Sequence, residues 1–116
     1  MPRSVLITGA NGFIGSHLCE AFVNAGHRVY GLVRTTSDLR FLKNSKIELV
    51  YGDLRQIEEI RLPDGLDVIV HAAALVSDNA SRRECRAQIY DITVNLVRWA
   101  QANCPGLLRF LYISTA

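Results

Sequence analysis

Glycine falls at every third position of Thr8-Gly9-Ala10-Asn11-Gly12-Phe13-Ile14-Gly15, and few backbone paths accept such a run. It follows the apolar stretch Val5-Leu6-Ile7 and precedes apolar residues at helical spacing, Ile14, Leu18, Phe22 and Ala25. That order predicts a strand, a tight turn and a helix. Gly9 permits the turn, Gly12 has no Cβ to block a pyrophosphate, and Gly15 lets the helix pack close to the sheet. The amides of Phe13 and Ile14, beside Asn11, would then face the anion with the positive end of the helix dipole behind them. Gly9, Asn11, Gly12, Phe13, Ile14 and Gly15 are thus candidate dinucleotide-binding positions. A purely structural turn is the other reading of the same glycines.

The rest of the chain alternates between the two periods. Gly26 ends the first helix, and Arg28 to Val33 has the β-branched and aromatic content of a second strand. Ser37 and Asp38 offer N-caps for a short helix through about Asn44, before a third strand from Ile47 to Tyr51. Gln56 to Leu62 predicts a short helix closed by Pro63-Asp64-Gly65, and Asp67 to His71 a buried fourth strand. From about Ser81 the pattern is helical, with Ile89, Ile92, Leu96 and Trp99, until Asn103, Pro105 and Gly106 stop it; Phe110 to Ile113 is a fifth strand. Apolar strands alternating with helices predict an α/β fold, a doubly wound parallel sheet covered on both faces. Right-handed crossovers give the strand order 3-2-1-4-5, with a ligand crevice outside the carboxyl ends of strands 1 and 4.

Composition narrows the partners. The 116 residues are 49% apolar and 21% charged, which suits one domain with a single core. The net charge of +2 is scattered in ones and twos, arguing against nucleic acid or an acidic membrane surface as the main partner. No apolar stretch approaches the roughly 20 residues of a membrane helix. Met1 to Ser4 runs straight into the first strand, leaving no room for a secretory segment, so a cytoplasmic location is expected. Cys19, Cys85 and Cys104 are widely spaced, as expected of reduced, partly buried thiols rather than a disulfide framework or a metal site.

Four segments in order carry a family resemblance: Thr8 to Gly15, Gly52-Asp53-Leu54 after the third strand, His71-Ala72-Ala73-Ala74 after the fourth, and Tyr112 to Ala116 at the fifth. Across essentially its whole length the chain resembles the N-terminal part of the extended short-chain dehydrogenase/reductase superfamily, the NAD-dependent epimerase/dehydratase family. The resemblance implies a Rossmann-type domain over residues 1–116, the front of a longer enzyme whose substrate domain lies beyond. It implies that Asp53 accepts a hydrogen bond from the adenine amino group and that Leu54 packs on the ring. Asp53 as a helix N-cap is the competing role. Ala72, Ala73 and Ala74 would let the backbone approach the cofactor riboses, and Thr115 would be the catalytic hydroxyl that hydrogen-bonds the substrate oxygen. The implied chemistry is hydride transfer to or from a carbinol carbon of a small molecule, plausibly a nucleotide sugar or a small ketone. The family's pairing helices include the long one here, which admits a homodimer.

Position 34 bears on the choice of cofactor. An acidic residue after the second strand holds the ribose 2′-hydroxyl of NAD, whereas an arginine can pair with the 2′-phosphate of NADP. Arg34 stands there, followed by Thr35, Thr36 and Ser37, with Arg40 one helical turn on, so NADP is preferred over NAD. The family's Tyr-x-x-x-Lys pair, in which the tyrosine is the general acid or base and the lysine lowers its pKa, does not occur in this sequence. The stretch Ile89 to Asn95 keeps the family's Thr93 and Asn95 but has Ile89 and Ile92 where an asparagine and a glycine are usual. These departures imply that the chain alone turns over little, and leave open a non-enzymatic NAD(P)-binding sensor or regulatory module.

Overall fold

The computed structural model describes residues 2–34, 39, 42, 46–72 and 82–113, the side chains of 82–88 excepted. Five parallel strands form one sheet in the order β3-β2-β1-β4-β5. They are β1 (Ser4–Thr8), β2 (Arg28–Val33), β3 (Glu48–Tyr51), β4 (Val68–His71) and β5 (Arg109–Tyr112). Helix α1 (Phe13–Asn24) joins β1 to β2, and α2 (Arg82–Asn103) precedes β5. The strand order reverses between β1 and β4, the switch point at which open sheets of this kind leave a crevice. Of the short helix expected over residues 37–44, only Leu39 and Leu42 are described, the Leu42 amide donating to the Leu39 carbonyl at 2.9 Å.

Side-chain alternation along the strands builds two cores, one on each face. Val5, Ile7, Val29, Val33 and Val70 pack with Cys19 of α1, while Leu6, Leu32 and Ile69 pack with Ile92, Leu96 and Ala100 of α2. Trp99 joins the α2 side. Cover is uneven across the sheet. The edge strands β3 and β5 are half open, and Leu108, Leu111 and Tyr112 stand 54%, 45% and 47% exposed.

Two elements differ in detail from expectation. Helix α1 buries Gly15, Ser16 and Cys19, whereas Ile14 is 49% exposed and Ala25 is the exposed C-cap. Leu18 and Phe22 pack against the α1-side core as expected, while the ends of the Ile14–Leu18–Phe22–Ala25 stripe stand outside it and the contact of Gly15 with the Gly9 carbonyl brings Gly15 and Cys19 closest to the sheet. The short helix after β3 spans Leu54–Glu59 as a 3-10 helix rather than Gln56 to Leu62. Asp53 starts it early by accepting a hydrogen bond from the Arg55 amide, and Ile60 ends it with an extended backbone (φ −91°, ψ 133°).

Candidate functional site

The glycine turn leaves β1 at the switch point. Gly9 has φ 63°, a conformation that favours glycine, and its carbonyl accepts from the Gly12 amide at 3.0 Å. A Cβ on Gly15 would overlap that same carbonyl oxygen and stand 2.9 Å from its carbon, so helix and turn touch backbone to backbone. Gly12 is different. Its φ of −76° and ψ of 171° suit any residue, and an added Cβ would meet only the Gly9 oxygen at 3.4 Å. Neither the backbone nor the interior requires glycine at position 12. The first bond of α1 runs from the Ser16 amide to the Gly12 carbonyl at 2.9 Å, so the helix offers no carbonyl to amides of its first turn, including that of Ile14. Phe13 and Ile14 are solvent-exposed beside this turn, and Asn11 is half-buried within it.

A second group gathers at the ends of β2 and β3. The Gly52 amide donates to the Val33 carbonyl at 3.0 Å, which sets Arg34 beside Gly52 and Asp53. These residues, with Arg55, Gln56 and Glu59, line a cavity of about 370 Å³. Asp53 caps the 3-10 helix through the Arg55 amide at 2.9 Å and also grips the Arg55 side chain, with Nε at 3.1 and 3.0 Å and Nη2 at 2.6 Å. The Arg55 guanidinium holds the Asp53 carboxyl below its ordinary value, and the Arg34 charge adds to the effect. Arg55 had no assigned role in the sequence; the signal was an arginine two residues past a capping aspartate. Leu54 is 6% exposed and packs into the α2-side core with Ile60 and Leu66, because the helix that Asp53 starts turns it inward.

At the switch point itself three polar side chains meet. Thr8 and His71 share the parity of Leu6 and Ile69, so both face α2, and both are fully buried. Thr8 Oγ1 lies 2.7 Å from His71 Nδ1 and accepts from the Ala72 amide at 3.0 Å. On the far side of the imidazole, Nε2 lies 3.1 Å from Thr93 Oγ1, whose hydroxyl donates to the Ile89 carbonyl at 2.7 Å. Burial pushes the His71 imidazole down to about 4. Thr93 thus faces a strand residue rather than solvent, which only its helical phase could have hinted.

Other expectations fall elsewhere. Ala73, Ala74, Thr115 and Arg40 lie outside the described residues, as do the hydroxyls of Thr35, Thr36 and Ser37. The Ala72 amide is placed at the end of β4, as the previous distances show. Cys19 and Cys104 are free and buried, and burial raises the Cys19 thiol to about 11, which suits a packing role. Among the described residues no three His, Cys, Asp or Glu side chains are grouped to hold a metal ion, and no helix is long and apolar enough to cross a membrane.

A parallel sheet in this order, with a glycine turn and a helix N-terminus at its switch point, defines the dinucleotide-binding class of doubly wound domains. More specifically, the chain belongs to the NAD dependent epimerase/dehydratase family, whose model matches residues 5–116. It is 31% identical over 115 residues to sterol demethylase protein B of Methylococcus capsulatus, covering 97% of this chain and 34% of that protein. It is 34% identical over 99 residues to a dTDP-4-dehydro-6-deoxy-D-allose reductase of Streptomyces sp, covering 77% of this chain and 30% of the reductase. The Bordetella bronchiseptica enzyme WbmH, solved in complex with NAD+, superposes with a TM-score of 0.78 at 27% identity, covering 100% of this chain and 40% of that one. The chain therefore spans about a third of the length of these two relatives.

Proposed function

We propose that this chain is the dinucleotide-binding part of a longer NAD(P)-dependent reductase, epimerase or dehydratase acting on a hydroxyl or keto carbon, and that it prefers NADP. The observation that carries the reading is Gly12, the N-cap of α1 at the switch point: neither a positive φ nor a close packing contact demands glycine there. A pyrophosphate approaching the first turn of α1 would use the place left free of a Cβ. The preference for NADP rests on Arg34, a cation at the rim of the cavity that Asp53 also lines. When bound, the nicotinamide would supply or take up the hydride. The chain's own residues bind and orient: the turn at Gly9 to Gly15 for the pyrophosphate, Arg34 and Asp53 for the adenosine end, Ala72 to Ala74 beside the riboses. Thr115 is assigned to the substrate oxygen, and the general acid and base to the remainder of the enzyme, so the isolated chain should bind cofactor without turnover.

Leu111 and Tyr112, half-exposed on opposite sides of the edge strand β5, support packing of further structure against that edge. A nucleotide sugar is among the substrates that the reductase relative brings to mind, and the free thiols of Cys19 and Cys104 suit a cytoplasmic setting. The test is a fluorescence titration of the chain with NADPH and NADH. Binding of NADPH is expected to be the tighter, and Arg34→Asp should weaken NADPH while sparing NADH. If neither nucleotide binds better than about millimolar, some 4 kcal/mol, the reading is wrong. An equal loss for both nucleotides removes the 2′-phosphate role of Arg34.

A further inference from the structure

We propose that His71 is a positioning residue: a neutral imidazole that ties Thr93 of α2 to Thr8 and, through the Thr8 hydroxyl, holds the start of the glycine turn to the end of β4. The donors and acceptors fix its tautomer. The Thr93 hydroxyl gives its proton to the Ile89 carbonyl, so Thr93 Oγ1 can only accept from the ring, and Nε2 must carry hydrogen. Nδ1 of the neutral ring is then an acceptor, and the Thr8 hydroxyl donates to it at 2.7 Å. Thr8 Oγ1 in turn accepts from the Ala72 amide. Every bond of the chain points one way, from Ala72 through Thr8 and His71 to Thr93 and the Ile89 carbonyl. An imidazolium would reverse the Nδ1 bond and force the Thr8 hydroxyl to find another acceptor.

The placement gives this chain a task beyond packing. Thr8 immediately precedes Gly9, and Ala72 immediately follows His71, so one hydroxyl joins the root of the glycine turn to the end of β4. The strand pairing sets Thr8 beside His71, and His71 beside Tyr112 of β5. The imidazole fastens that joint to a helix, and the rings of Tyr112 and Phe110 stand 5.6 and 6.5 Å from it. A shift of α2 at Thr93 would therefore reach both the root of the glycine turn and the Ala72 amide at the end of β4. The proposal rests on the dinucleotide reading of the switch point.

The experiment compares the unsubstituted chain with Thr93→Val, which keeps the shape and removes the acceptor, and with Thr93→Ser, which restores it. Long-range proton–nitrogen NMR should show the Nε2–H tautomer at His71. In Thr93→Val, exchange of the Ala72 amide should quicken and NADPH binding weaken, each by roughly five- to tenfold, the scale of one buried hydrogen bond. The Ile69 amide, in the middle of β4, should keep its exchange rate, and Thr93→Ser should recover both properties. An Nδ1–H tautomer overturns the proposal, as does a Thr93→Val chain that is less stable throughout yet keeps the relative protection of Ala72 and its affinity. Absence of dinucleotide binding by the unsubstituted chain, with Ala72 responding as described, overturns the dinucleotide reading instead and leaves the hydrogen-bonded joint standing.

Discussion

Gly12 and Gly15 belong to one turn and one motif, yet the folded chain separates them. Gly15 is required from within, since a Cβ there would run into the Gly9 carbonyl, which as backbone cannot swing aside. Gly15→Ala should therefore cost about 1–3 kcal/mol of stability, read by urea denaturation, as overpacking does. Gly12→Ala, a change at the N-cap of α1, should cost no more than about 1 kcal/mol of stability. Its effect should appear in nucleotide affinity, with a loss of about tenfold or more, or 1.4 kcal/mol, in the same titration. A Gly12→Ala chain that binds as the parent does would move the pyrophosphate away from the turn. The motif was legible in the sequence because its meaning depends on neighbours within a few positions. Arg55 was not, because its importance comes from the Asp53 carboxylate that it grips and from its place beside Arg34 in one cavity.

The segment after β3 shows how a single side chain sets an element. Asp53 has an extended backbone and accepts from the Arg55 amide, which satisfies one of the donors that a helix start leaves open. Asp53→Ala should cost about 1 kcal/mol through loss of the cap. Arg55→Ala removes only an exposed ion pair and should cost less, a few tenths of a kcal/mol. Thermal melts of the two variants decide between cap and pair; equal losses would assign the stabilisation to the pair. The strands were legible because apolar runs bounded by glycine, proline and polar turns have few other uses, and their ends fall within about a residue of expectation. The face of α1 was less so. Leu18 and Phe22 of the predicted stripe meet the core, but Ile14 and Ala25 do not, and the burial of Gly15 depends on how closely it approaches Gly9, a contact between two elements that helical periodicity alone does not carry.

At the scale of the molecule, the buried His71 couples folding to pH. Its value falls from 6.5 to about 4 on folding because burial penalises the charged ring, so the unfolded chain binds the extra proton. Stability from this group is complete above about pH 6.5 and is lost as the pH falls towards 4, by up to roughly 3 kcal/mol. Asp53, whose carboxyl is lowered, acts in the same direction but only as the pH falls below its unfolded value of 3.8. Denaturation measured from neutral pH down to 4 should therefore show a decline, with the His71 ring resonances constant until the pH nears 4. A ring that titrates near 6.5 in the folded chain would remove this coupling. Local pattern was enough for the alternation of strands and helices, the parallel order, the glycine turn and the family, because each depends on spacing along the chain or on burial that apolar runs announce. The joint of Thr8, His71 and Thr93, the inward turn of Leu54 and the pairing of Asp53 with Arg55 beside Arg34 were decided only in the folded state. They depend on which polar groups meet when strands and helices are packed, and a buried polar group takes its partner from that packing.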